Sequence, residues 1–268
     1  MKRTAATLAV LAAGAGFWVV AASGSQQVHA KTRVFHVTLV GESETPTGDP
    51  VATGSATIRV PAGKPRVCYR LTARDLPSRA VGAHIHRGSA GTVGAIVVKL
   101  HTPNASGAAT GCAKTTRKLV RAILAHPSRY YVNVHTAGFP GGAIRGQLAG
   151  ARPTVGTILH LDLKGTTEPN ASGTAILRFR RDAQLVCYRL RVQNVTLPTV
   201  GAHIHRGAAG TNGPVVVAFE APGASGTSTG CAAAQTSLID DILANPAGYY
   251  VNVHTKEHAG GALRAQLG

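Results

Sequence analysis

Acidic residues are scarce in this 268-residue chain, where 11 Asp plus Glu stand against 28 Lys plus Arg, for a net charge of +17. The scarcity limits chemistry as well as charge. Acid–base catalysis by paired carboxylates needs two acids held together, and only Glu44 and Glu168 recur at matching places. Aromatic residues make up 4% of the chain, and its one tryptophan, Trp18, lies in an N-terminal apolar run. A basic protein with few rings and scattered arginines is poor material for stacking bases, so no specific nucleic-acid recognition is expected. There is no CxxC pair for a zinc–thiolate site. Beyond residue 30 no apolar stretch is long enough to span a bilayer.

Lys2 and Arg3 precede an apolar, alanine-rich run from Ala5 to Ala22, and Val28-His29-Ala30 has the small-x-small form of a cleavage site. This predicts a signal peptide over residues 1–30, with an uncleaved membrane anchor as the alternative. The expected location is secreted or associated with the cell envelope. Four cysteines fit export. Cys68 and Cys112 are 44 residues apart, as are Cys187 and Cys231, which predicts one disulfide within each half of the chain. The basic excess favours anionic neighbours such as cell-envelope polymers.

The halves are copies. Cys68, His84, His86, Cys112, His135 and Arg145 recur as Cys187, His203, His205, Cys231, His254 and Arg264, each 119 residues on. Upstream, FHVTLVGESE from Phe35 resembles LHLDLKGTTE from Leu159 at an offset of 124, so the first copy carries five extra residues before Gly54. The expected domains are 31–149 and 152–268, and the short join around Gly150–Pro153 predicts that they pack or restrict one another. In each copy VFHVTLV-like and YYVNVHT-like segments alternate between Gly/Pro clusters. That spacing predicts an all-β fold, two tandem antiparallel Greek-key sandwiches or barrels. One short helix is expected per copy, over 117–125 and 237–244, each stopped by HP or NP.

Chemistry concentrates in GAHIHRGSAGTVG, from Gly82, and GAHIHRGAAGTNG, from Gly201. Strand residues i and i+2 share a face, about 6.5–7 Å apart, so His84 and His86 point the same way, as Asn133 and His135 do in YVNVHT. If the two strands are neighbours, three imidazoles converge and suit copper or zinc with a coordination position open. The candidate metal ligands are His84, His86 and His135 in one copy and His203, His205 and His254 in the other. The competing interpretation has these rings only bonding loop carbonyls at a corner of the sandwich. Gly88, Gly91 and Gly94 precede a strand rather than a helix, which argues against a phosphate loop. They are expected to supply positive φ angles in a tight turn.

The motifs HIHRGxxGxxG, YYVNVHT and GGAIRGQL, each present in both copies, resemble the chordin-type repeat known as the CHRD domain. The resemblance covers nearly all of the chain after residue 30. It implies an extracellular β domain and no particular reaction, and the cysteine-rich modules of chordin are absent. A weaker similarity links the HxH strand, the later histidine and the terminal GGxxR to copper/zinc superoxide dismutases. It implies copper ligands at the six histidines and anion-binding arginines at Arg145 and Arg264, but the zinc loop of those enzymes is missing. The function expected is a non-enzymatic, exported binding or structural module of two repeats. The alternative is a copper or zinc protein, or a dismutase-like redox enzyme, with a three-histidine site in each domain.

Overall fold

The computed structural model describes residues 31–268, so the expected signal peptide, with His29, lies outside the described residues. Each half forms one eight-stranded antiparallel, barrel-like sheet. Domain 1 contains β1 (Thr32–Val40), β2 (Thr53–Pro61), β3 (Arg66–Arg74), β4 (Ala80–Arg87), β5 (Ala95–Lys99), β6 (Ala108–Lys114), α1 (Arg117–Ala125), β7 (Tyr130–Thr136) and β8 (Phe139–Gln147). Domain 2 repeats the series as β9 (Thr157–Gly165), β10 (Ser172–Arg180), β11 (Leu185–Gln193), β12 (Gly201–Arg206), β13 (Val215–Phe219), β14 (Thr227–Ala233), α2 (Thr236–Ala244), β15 (Tyr249–His254) and β16 (Leu263–Gln266). The strand order is β5-β4-β7-β8-β1-β2-β3-β6, and domain 2 follows the same order. The crossovers from β3 to β4 and from β6 to β7 give the Greek key. They also make the HxH strand β4 the neighbour of β7, which carries the third histidine.

Alternation builds the core. Leu39, Ile58, Leu71, Ile85, Val132, Val134 and Ile144 point inward and are fully buried, which leaves the histidines on the other face. In α1, Thr116 caps the first turn by accepting the Leu119 N–H at 3.0 Å, and Leu119, Val120 and Ile123 pack onto the sheet. Cys68 pairs with Cys112 across β3 and β6, and Cys187 with Cys231 across β11 and β14. Closing a loop of 44 residues removes unfolded-chain entropy worth about 4 kcal/mol.

Four strands escaped the sequence pattern. β6 and β14 (AATGCAK and TSTGCAA) and β8 and β16 (within FPGGAIRGQ and GGALRAQ) carry small residues at positions where alternation would be read. Backbone pairing with a strong neighbour, not their own side chains, makes them strands.

The domains dock through charge. Arg178 on β10 donates to both carboxylate oxygens of Glu42 at 2.9 Å, and Arg189 on β11 holds Asp49. His160 meets Asp75 at 2.7 Å. Asp49 sits in the stretch by which the first copy is longer. Among the described residues no helix is long and apolar enough to cross a membrane.

Candidate metal centre

On β4 and β7, His84 lies across from Asn133, Gly82 from His135 and His86 from Tyr131. That register gathers the three rings, with centroids 5.0, 5.6 and 6.0 Å apart. One ligand nitrogen from each of His84, His86 and His135 lies within 4.8 Å of the others, and the same holds for His203, His205 and His254. Gly82 and Gly201 make room. A Cβ at Gly82 would come within 3.2 Å of His84 Cε1, and one at Gly201 within 2.9 Å of His203 Cε1. The glycine that opens each GAHIHR motif therefore keeps clear the space that the ring of the motif's first histidine occupies. It recurs in both copies, and its role shows only once the direction of the His84 and His203 rings is known.

Backbone carbonyls fix the ring tautomers. His86 Nδ1–H donates to Gly94 O at 2.8 Å and His135 Nδ1–H to Pro140 O at 2.9 Å. In domain 2, His205 donates to Gly213 O and His254 to Ala259 O at 2.8 and 2.9 Å. His86, His205 and His254 then have the Nε2 lone pair left over, unpartnered, the arrangement that outer-shell partners impose on metal-ligating histidines. His84 and His203 present the opposite nitrogen: their Nδ1 atoms are buried without a partner, as are Nε2 of His86, His205 and His254. His135 differs, because Asn133 Oδ1, an acceptor, lies 3.0 Å from its Nε2.

An unsatisfied buried acceptor costs about 1–3 kcal/mol. Five such nitrogens gathered in two equivalent places fit sites built for a cation. Burial pushes the His84 pKa down to about 4, helped by the nearby His135 and His86 rings. Burial likewise lowers His135, His203 and His254. Neutral imidazole is the form that ligates, so the donor set fits copper or zinc.

The glycine loop is a clamp on this centre. Gly91 and Gly210 have positive φ, at 75° and 76°. Gly88 and Gly94 do not, contrary to the expectation, and serve close approach instead: a Cβ on Gly94 would meet Arg87 O at 1.7 Å, and one on Gly88 would meet Tyr131 at 3.0 Å. The tight return places Gly94 O on His86. It also sets Gly94 N–H 3.2 Å from the Tyr131 hydroxyl, which accepts it.

Arg145, expected to attract an anion, is instead 1% exposed. Its guanidinium donates to Thr92 O and Ser89 O at 2.8 and 2.7 Å and lies 3.4 Å from the Tyr131 ring centroid, with His86 stacked on the same ring. Arg264 does the same work, donating to Thr211 O and Ala208 O over Tyr250. Both arginines position the loop. Glu44 is buried beside Gly142 and Asn133 with its Oε1 unpartnered, and burial raises its pKa to about 7 against the pull of Arg145.

The other repeated histidines stay apart. His36 lies on the outer face of β1 with its Nδ1 3.4 Å from the Thr57 hydroxyl, and His160 joins the domain contact.

Duplicated Greek-key barrels, each with a disulfide and an imidazole triad beneath a glycine loop, define a duplicated all-β protein, and the disulfides fit an extracellular one. The CHRD domain profile matches residues 35–148 and 160–267, and the chain belongs to the CHRD-domain family. A comparison with curated proteins finds no match.

Proposed function

We propose that the chain is an exported binding module of two CHRD domains, residues 31–149 and 152–268, each holding one copper or zinc ion on its three histidines. His84 would ligate through Nδ1, and His86 and His135 through Nε2; His203, His205 and His254 would do the same in domain 2. The observation that carries this is the set of buried, unpartnered ring nitrogens facing one another in both copies. A corner held together only by histidine–carbonyl bonds would use the Nδ1–H groups of His86 and His135 and leave those lone pairs unexplained. With Arg145 and Arg264 committed to the loop, binding and not turnover is the function supported. Signal cleavage after Ala30 would deliver the module to the extracellular or periplasmic space, where its charge favours anionic envelope polymers.

The test is metal content after reconstitution of the chelator-stripped chain with Cu(II) or Zn(II). Two equivalents per chain are expected, falling to one in His84→Ala/His86→Ala. Less than about a tenth of an equivalent per domain would remove the proposal.

A further inference from the structure

The domains are duplicates, yet only one has its arginine face covered. In domain 2, Arg178 and Arg189 receive Glu42 and Asp49, and Cys187 beside them is 0% exposed. Their counterparts in domain 1 are Arg59 on β2 and Arg70 on β3, in the same register. Arg59 lies across from Cys68 as Arg178 does from Cys187, and Arg70 opposes Thr110 as Arg189 opposes Thr229. Arg59 and Arg70 are exposed. Among the described residues neither makes an ion pair. They border a groove of about 460 Å³ with His36, Thr57 and Thr110.

The same molecule shows what fits such a face. Its occupant in domain 2 is the loop that follows β1. Asp49 Oδ1 accepts the N–H groups of Val51 and Ala52 at 3.0 and 2.7 Å, which aims Oδ2 at Arg189. Glu42 meets Arg178 fork to fork, the geometry that makes arginine selective for carboxylates.

Domain 2 has no such loop to pass on. Its segment from Gly165 to Gly173 is the shorter version, Thr166 stands where Glu42 does, and Asn194 stands where Asp75 does. A second copy of the chain therefore has its one acidic loop already engaged within itself.

We propose that the Arg59–Arg70 face of domain 1 docks an acidic surface loop of a different protein, one presenting two carboxylates as Glu42 and Asp49 do. The strongly basic chain would steer such a partner toward it. The site is remote in sequence from every histidine of the metal centres and stands or falls separately from them.

The experiment titrates the isotope-labelled chain, residues 31–268, with a cyclised peptide of residues 41–52 and follows amide shifts. Shifts are expected around Thr57–Arg59, Arg70 and Thr110, weakening severalfold as salt rises. A Glu42→Gln/Asp49→Asn peptide should produce none. Arg59→Gln/Arg70→Gln should lower affinity at least about tenfold, with the rest of the spectrum unchanged as proof of folding. Arg59→Lys/Arg70→Lys, which keeps the charge and loses the fork, should also weaken binding. Absence of shifts at about 2 mM peptide overturns the proposal. So would equal shifts from polyphosphate of matched charge, which would make the face a general anion patch. A dimer of the chain that these variants dissolve would make a second copy the occupant, and overturn it too.

Discussion

Gly82 and Gly201 shape the imidazole triads without offering any ligand atom. A methyl group at Gly201 would sit 2.9 Å from His203 Cε1 and 3.4 Å from His254 Cδ2, so one ring must give way. Gly201→Ala should weaken metal affinity in domain 2 at least about tenfold in chelator competition. The apo protein should lose only a few degrees of thermal midpoint. Unchanged affinity would count against the geometry described. Protonation offers a second check at this scale. His84 has a folded pKa of about 4 against 6.5, so its contribution to apo stability is present above pH 6.5 and lost as pH falls through about 4. Glu44 opposes it: with a folded pKa of about 7 against 4.5, its contribution is full below pH 4.5 and lost as pH rises through 7. In metal-free Glu44→Gln the urea midpoint should therefore fall steadily from pH 7 to pH 4, more steeply than in the unsubstituted chain. A flat midpoint would contradict the buried neutral triad. The histidine spacing and the recurrence of all three rings were legible in the sequence. The clearing role of Gly82 was not, because it depends on how the His84 ring lies back over that glycine.

At the scale of elements, the loop from Gly88 to Gly94 is held from four sides by Arg145, Gln147, Tyr131 and His86. Arg145→Ala removes three hydrogen bonds and a cation over a ring. It should destabilise domain 1 by about 3 kcal/mol in urea unfolding. It should also weaken metal binding there, because Gly94 O no longer fixes the His86 tautomer. Full stability would show that the arginine is free, as an anion guide needs to be. Strands with alternating large side chains, such as VCYRLTA, could be read directly, and so could the helices, whose apolar spacing ends at a proline. The small-residue strands could not, since their conformation is imposed by pairing. Three evenly spaced glycines suggested three positive φ angles, whereas two of the three answer to steric contact with Arg87 and Tyr131.

For the whole molecule, the interdomain contact turns on carboxylates of domain 1 meeting arginines of domain 2, with Asp49 at 1% and Arg178 at 0% exposure. Removing one partner leaves an uncompensated buried charge. Arg189→Gln should therefore cost about 3–5 kcal/mol of docking energy and split the calorimetric transition into two, one for each domain. A single unshifted transition would contradict a coupled pair of domains. The duplication and the longer first-copy loop were visible in the sequence, but not the use of that loop, because Glu42 and Arg178 lie 136 residues apart. The account as a whole is tested most directly by X-ray absorption at the metal edge of the copper- or zinc-loaded chain. Three imidazole nitrogens per ion at about 2.0–2.1 Å are expected in both domains. Mainly oxygen ligation, or a spectrum unaltered when the six histidines are replaced, would contradict it.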